Sequence, residues 1–408
     1  MKKVWIVAPF SGIDKIGTRN RFQYLADKLY DEGEDVTLFT SDFSHGRKKH
    51  ISKDICNKYT YNVRLVHEEG YEKNVSIKRA LSHINFGKNL KKEIENMEKP
   101  DVIYAAYPTM SSSYVSGKYA KKNNIPFIID VQDTWPESIS SAIDTRKLLV
   151  RILMWPFTKI ANNIYRMADI VFGVSKTYAY RANVKGTKCK EFISVYIGSE
   201  LEKFDSVVND NKYEIEKDKN DIWITYIGTL SYSYDVDTAI KAFSELKDYK
   251  NIKLNILGSG PDEERLIRLA KELDLYNNSV YFYGFVEYEK MVAYLKRSDI
   301  ALNALTGGSK GTITNKFGDY VSAGLPILNS CQEREVIDLM NSNELGINYM
   351  PGNAKSLKDA IIKMTEDKDK MKIYSINSRH LAEKYFDRKE SYKVIVDKIK
   401  IFTNYKEG

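Results

Sequence analysis

Short β-branched and aromatic runs alternate with amphipathic stretches along almost the whole chain, and that alternation leaves few folds open. VWIVAP, DVTLFT, YNVRLVH, DVIYAAY, PFIIDVQD and DIVFGVS read as strands. Between them, Arg21 to Glu32, Ile77 to Glu98, a Ser-rich stretch and Leu148 to Met167 read as helices, while Ser44 to Lys58 is basic and irregular. Strand, helix, strand, helix predicts a parallel, doubly wound sheet. Asp205 to Asp221 loses the hydrophobic period and reads as a linker. The alternation then restarts: WITYIGTL, IKLNILGSG, SVYFYGFV, DIALNAL and LPILNS are strands, separated by helical patterns that include Val236 to Leu246, Asp262 to Leu273 and Glu287 to Lys296. The expected fold class is α/β, with Rossmann-like domains over 1–204 and 222–386, a linker at 205–221 and an amphipathic terminal helix within 387–408. The length of 408 residues suits two cores rather than one. Two such domains would leave a cleft at the carboxyl ends of their strands, where this architecture binds ligands.

Charge divides unevenly between the halves. Residues 1–204 carry a net charge of +10 and the remainder −2. The first half is therefore expected to face phosphate or an anionic membrane surface. Nucleic acid is the rival partner, but no helix-turn-helix, RNA-binding signature or basic-aromatic repeat supports it. Cys56, Cys189 and Cys331 have neither metal-ligand nor redox spacing and read as reduced cytosolic thiols. The five histidines, His45, His50, His67, His83 and His380, show no ligand spacing, so no metal site is assigned. Asp235 and Asp237 have the D-x-D spacing of metal-dependent sugar transferases, but they open a helix, where Asp caps N–H groups. The apolar run at the N-terminus is too short for a signal sequence, and no stretch approaches the roughly 18 apolar residues of a membrane span. A cytoplasmic protein is expected. Leu148 to Met167 mixes Arg151, Lys159 and Arg166 with many apolar residues, and either a membrane surface or core packing would account for it.

The stretch Gly311 to Leu328, GTITNKFGDYVSAGLPIL, carries the most chemistry. A Thr-rich loop enters a short helix with Lys316 and Asp319 three positions apart. The unpaired N–H groups of the first helical turn can point at phosphate, Lys316 adds a full charge, and Asp319 can accept from a ribose diol. An ordinary surface Lys and helix Asp is the plainer alternative.

With these segments in order, the chain resembles the family-4-like glycosyltransferases of the GT-B fold, especially those that assemble bacterial surface polysaccharides. GIDKIGTRNRFQYLA supplies the Gly-rich first loop with Gly12, Gly17 and Arg21, and QDTWPE (Gln132 to Glu137) matches the family's R-D-L-W-P-E. Ala168 to Ser175 matches A-D-x-V-x-x-V-S, and the second half supplies IGTL from Ile227, GSGP from Gly258, GFV from Gly284 and NKFGDYVSAGLP from Asn315. The resemblance covers nearly the whole chain, and it implies an acceptor-binding domain over 1–204, a nucleotide-sugar-binding domain over 222–386 and a C-terminal helix, 387–408, that crosses back to the N-terminal domain. It implies a donor site at Gly228, Thr229, Gly258 and Phe285, with Thr314, Asn315, Lys316 and Asp319 on the phosphates and ribose. Phe285 either meets the base or is a core aromatic. Gly17, Arg19 and Arg21 are placed at an acceptor diphosphate, with helix-start surface charge as the alternative for the arginines. Asp133 orients the acceptor or the transferring sugar, unless it merely caps a helix. Lys316 and Asp133 are the implied catalytic residues.

The departures from the family pattern are specific. Of its common acidic pair, the second member maps to Asp319 and the first falls on Gly311; its phosphate-clamping Arg and Lys are replaced within Thr229 to Asp235; and Asp133 stands where many relatives have His. The expected activity is metal-independent, retaining sugar transfer without a cofactor. The donor is a nucleotide-diphosphate sugar, UDP-linked by analogy, and the acceptor is a growing glycan on a polyprenyl diphosphate at the inner membrane face. A nucleotide-sugar epimerase of the same architecture, or a non-catalytic nucleotide-sugar-binding subunit, are the alternatives.

Overall fold

A computed structural model describes residues 1–14, 19–74, 76–138, 148–209, 213, 215–307 and 313–404. Gly17 and Gly311 lie outside these. The chain divides into two compact units, Met1–Val195 with Tyr392–Gly408, and Tyr196–Ser391.

In the first unit the strands are β1 (Lys3–Val7), β2 (Asp35–Ser41), β3 (Phe43–Ser44), β4 (Lys49–His50), β5 (Asn62–Val66), β6 (Val102–Tyr107), β7 (Phe127–Val131), β8 (Ile170–Gly173) and β9 (Glu191–Ser194). Seven of them form one parallel sheet in the order β5-β2-β1-β6-β7-β8-β9, and β3 and β4 pair as a hairpin that runs from Phe43 into the basic stretch from Ser44. The helices are α1 (Arg21–Asp31), α2 (Ile77–Glu95), α3 (Met110–Asn123), α4 (Leu148–Met167) and α5 (Lys176–Tyr180). Asn20 starts α1 with a capping box: its side chain accepts from Phe22 and Gln23 N–H, and the Gln23 side chain accepts in return from the Asn20 N–H.

Every residue of β6 and β7 is buried, as a parallel sheet covered on both faces requires. One of them, Asp130, is a carboxylate with no exposure. Its charge is met by Arg21, whose Nε lies 2.5 Å from Oδ2. Arg21 also donates to Val195 O (2.9 Å), and its guanidinium stacks on Tyr392, 4.8 Å from the ring centre. Tyr104 OH (2.6 Å) and Gln132 Nε2 (2.9 Å) donate to the same carboxylate. Arg21 was expected to meet an acceptor. At 2% exposure its guanidinium is instead committed to the interior, where it pins α1 to the sheet.

The second unit holds β10 (Ile222–Ile227), β11 (Ile252–Leu257), β12 (Val280–Phe282), β13 (Ile300–Asn303), β14 (Ile327–Asn329) and β15 (Gly346–Asn348), all parallel, in the order β12-β11-β10-β13-β14-β15. Its helices are α6 (Leu201–Asn209), α7 (Val236–Ser244), α8 (Glu263–Glu272), α9 (Tyr288–Arg297), α10 (Asn315–Ser322), α11 (Arg334–Ser342), α12 (Ala354–Glu366) and α13 (Lys368–Leu381). The unit begins at Tyr196, ahead of the polar stretch read as a linker, because Tyr196, Leu201 and Phe204 are buried in its core with Trp223 and Phe317. At its other end, Arg388 N–H donates to Ser199 O (3.0 Å), which keeps residues just beyond 386 in this unit. The closing helix, Lys393–Asn404, belongs to the first unit and buries Ile395, Val396 and Ile399 in the core with Ile6 and Leu25.

Removing one member of a buried ion pair leaves the other charge uncompensated, at a cost of about 3–5 kcal/mol. Arg21→Ala is therefore expected to lower unfolding stability by about that amount in urea titrations. A loss of under about 1 kcal/mol, the range of exposed pairs, would contradict the buried-pair account.

Candidate functional site

β10 lies between β11 and β13, so strand order reverses around it in the second unit. In open parallel sheets, ligands bind at the carboxyl end of such a position. Gly228 follows β10 there, Gly258 follows β11, and Gly284 lies just beyond β12. Their φ angles are +117°, +148° and +62°, a region that L side chains rarely adopt. Gly258 N–H donates to Gly284 O (2.7 Å) and Gly228 N–H to Leu257 O (2.8 Å), so the loops are laced together by backbone. The Gly228 N–H is thereby already used within the protein. What the missing side chain supplies is room: a Cβ on Gly228 would come within 2.2 Å of Lys316 Cε, and one on Gly258 within 1.8 Å of Gly228 O.

α10 reaches this end of the sheet because Tyr320 ties it down. Its buried hydroxyl accepts from Ile227 N–H (3.0 Å) and donates to Leu302 O (3.0 Å), joining α10 to β10 and β13. Lys316, one turn earlier, extends over Gly228. Its ammonium donates to Tyr226 OH (2.8 Å) and sits 3.2 Å from the centre of the Tyr234 ring. Among the described residues no carboxylate pairs with it, and burial pushes its pKa well below the usual lysine value. Thr314 precedes α10 without making a capping hydrogen bond, and its buried hydroxyl has no partner among the described residues. Asn315 opens the helix, exposed. A low-dielectric cation beside an uncapped helix N-terminus favours an anion.

Asp319 goes elsewhere. Lys316 and Asp319 share a helix, but the Asp319 carboxylate accepts from Ser199 OH (3.1 Å) and Tyr288 OH (3.3 Å). Burial pushes its pKa up to about 6, against the pull of those two hydrogen bonds and of nearby Arg388. Phe285 is 74% exposed, which removes the core-aromatic reading and leaves a free ring on the loop after Gly284. Thr229 is exposed and its carbonyl accepts from Tyr226 OH (2.8 Å). Asp235 does open α7, but it does not cap N–H groups of that helix as expected. It accepts from Thr238 OH and from Gly352 N–H, both at 2.6 Å, while Asp237 faces Lys241 (3.2 Å).

In the first unit, Asp133 follows β7 and is partly buried. Burial raises its pKa, while hydrogen bonds from Ser138 and the Thr134 N–H and the charge of Arg79 draw it down. Arg79 belongs to a group that sequence reasoning missed. Its guanidinium lies 5.7 Å from the Tyr71 ring centre, and the rings of Phe10 and Tyr71 are 5.4 Å and 5.8 Å from that of His83. Burial and the Arg79 charge lower His83 to about 4, and burial with Lys48 and Arg79 lowers His45 to about 4, so both imidazoles are neutral near pH 7. Arg79 Nε and His83 Nε2 are buried without a hydrogen-bond partner among the described residues. Arg79 and His83 stand four apart on one face of α2, a helical spacing legible in sequence, but Phe10, His45 and Tyr71 join them only once β1, the hairpin and α2 pack together. Arg19 is more than half exposed and pairs with Asp27 at 3.0 Å.

The two glycine positions predict different failures. Gly258→Ala sets a Cβ against a backbone carbonyl and should lower the melting temperature markedly. Gly228→Ala meets mainly the movable end of Lys316, so it should cost less stability while displacing the ammonium and, on the sequence expectation of a donor nucleotide here, weakening its binding. Melting curves with and without ligand check this, and equal destabilisation by both variants with unchanged binding would contradict it.

Two family descriptions match the chain in sequence order, Glycosyltransferase Family 4 over residues 17–185 and Glycosyl transferases group 1 over residues 208–381. An uncharacterized glycosyltransferase of Methanocaldococcus jannaschii is 33% identical over 239 residues, which make up 57% of this chain and 59% of that protein. The match therefore spans less than two thirds of the relative. Among solved structures, Anabaena HepE in complex with UDP superposes with a TM-score of 0.69 at 14% identity, over 98% of this chain and 100% of that one. Sucrose-phosphate synthase from Thermosynechococcus elongatus gives 0.72 at 14% identity, over 99% of each chain. At such identities the likeness is one of fold. With both halves matched in order on that shared fold, the chain belongs to the family-4-like glycosyltransferases of the GT-B fold.

Proposed function

We propose that this chain transfers a sugar, with retention of configuration, from a nucleotide-diphosphate donor to a growing lipid-linked glycan. The observation that carries the reading is Lys316. Its ammonium is buried against two tyrosines with no carboxylate beside it among the described residues, and the first turn of α10 adjoins it. A diphosphate would supply the missing charge. In the reaction the bond between the sugar's anomeric carbon and the diphosphate oxygen breaks, and the acceptor hydroxyl oxygen bonds to that carbon on the same face. The acceptor proton passes to the departing phosphate oxygen. Lys316 and the α10 N-terminus stabilise the charge that develops there, which is commonly the largest catalytic contribution. On this reading turnover survives chelation of divalent metal. Exposed Phe285 offers a face to the base, and UDP is the preferred nucleotide because the structurally similar HepE is known in complex with UDP and with UDP-glucose. Asp133, beside Arg79, orients the acceptor or the transferring sugar.

The acceptor's lipid is the part of the reading that α4 supports. Leu148, Leu149, Ile152, Leu153 and Trp155 are between 60% and 74% exposed, so core packing does not account for this half of the helix. Arg151 and Lys159 are exposed among them. No helix of the described residues is long and apolar enough to cross a membrane. An apolar surface rimmed by cations suits the interface of an anionic bilayer, where the glycan carrier resides.

Lys316→Met keeps the volume and removes the buried charge. Its unliganded melting temperature should match or exceed the wild type's, while UDP affinity falls by about 1.5–3 kcal/mol and turnover of the UDP-sugar is lost. Full UDP binding by this variant would refute the donor site. At a pH where unliganded Lys316 is neutral, UDP binding should take up a proton, read by calorimetry in buffers of different ionisation enthalpy. For α4, the protein should sediment with phosphatidylglycerol vesicles and less with phosphatidylcholine, and Leu153→Glu with Trp155→Glu should abolish it. Unchanged sedimentation would remove α4 from the interface.

A further inference from the structure

The fold brings together three residues that lie 8, 17 and 25 positions apart in sequence. Asp42 follows β2, His50 ends β4 and His67 follows β5. The backbone of Asp42 makes the arrangement. Its N–H donates to Val66 O (3.1 Å) and its carbonyl accepts from Ile51 N–H (2.7 Å), so the residues next to those partners, His67 and His50, flank it. The carboxylate is oriented too, because Oδ1 accepts from Glu68 N–H at 2.9 Å. His67 Nδ1 lies 2.8 Å from Oδ2 and His50 Nδ1 3.4 Å from Oδ1, and one potential ligand atom from each of the three residues lies within 4.8 Å of the others. The two imidazoles are near-parallel, at 16° with ring centres 5.5 Å apart, and Phe43 packs edge-on against His50.

We propose that Asp42, His50 and His67 form a binding site for a transition-metal dication, of which Zn(II) is the best fit. Tetrahedral zinc with bonds of about 2.0–2.2 Å to His nitrogen and carboxylate oxygen sets its ligand atoms about 3.3 Å apart, and three atoms already within 4.8 Å of one another reach that arrangement through small side-chain rotations. Two imidazoles and one carboxylate are borderline donors that suit zinc, copper or nickel rather than magnesium or calcium, which demand oxygen. The imidazole side chains are 48% and 59% exposed, so water can complete the coordination. A bound ion would tie the β3–β4 hairpin to the end of β5 and stabilise the first unit. It takes no part in the donor chemistry proposed above, and that reading stands or falls without it.

The test is a zinc titration of the full-length protein at pH 7.5 with its affinity tag removed, in competition with a chromophoric chelator. One equivalent should bind. His67→Ala should weaken it roughly tenfold or more, and His50→Ala with His67→Ala should abolish it. Both histidines are exposed, so the variants should keep the wild-type melting temperature in chelator; wild-type protein, but not the double variant, should melt higher with zinc and not with magnesium. Co(II) should give visible absorption bands that His67→Ala alters. The proposal is overturned if zinc does not bind, or if the double variant binds it as well as wild type does.

Discussion

An ammonium group held against two tyrosines and, among the described residues, given no carboxylate is the constraint around which the second unit is arranged. Burying a cation without a partner is costly, and here burial drives the Lys316 pKa well down. The surroundings keep the group there rather than letting it escape to water. Gly228 leaves the space the side chain crosses, Gly258 leaves space for Gly228, and Tyr320 fixes α10 at the strand ends. Each is hard to replace for a stated steric or hydrogen-bonding reason. Together they hold the amine against Tyr226 and Tyr234 although burial disfavours its charged form, which makes Lys316 a candidate for meeting an anion.

The first unit treats its buried charge in the opposite way. Asp130 and Arg21 lie in the interior, but the carboxylate receives Arg21, Tyr104 and Gln132, and the guanidinium also reaches Val195 O and the Tyr392 ring. Nothing there is left for a ligand. The contrast separates two residues that looked alike in sequence, each a cation near a predicted loop and helix start. Arg21 is structural because its donors are spent inside the protein, and Lys316 is a binding candidate because its only hydrogen-bond partner among the described residues is a phenol.

Much of the architecture was legible because parallel sheets impose long buried runs separated by amphipathic helices. β6, β7, β10 and β13 coincide with DVIYAAY, PFIIDVQD, WITYIGTL and DIALNAL. Local pattern failed where tertiary packing decided the outcome. The stretch from Asp205 reads as polar, yet α6 runs on to Asn209 because Leu201 and Phe204, just upstream, anchor it in a core. In the site, the helix carrying Lys316 and Asp319 was legible, but their spacing of three did not place them on one ligand: one turns to Tyr226 and Tyr234, the other to Ser199 and Tyr288. Arg79 and His83 share a face of α2 at a legible spacing, but what gathers round them, Tyr71 included, and separately Asp42, His50 and His67, was invisible because those segments become adjacent only after the sheet forms.

The most direct measurement is a crystal structure of the protein soaked with UDP. The account predicts the diphosphate within hydrogen-bonding distance of Lys316 Nζ and the Asn315 and Lys316 N–H groups, with the ammonium withdrawn from the Tyr234 ring. A diphosphate bound elsewhere, with Lys316 still seated on Tyr234, would contradict it.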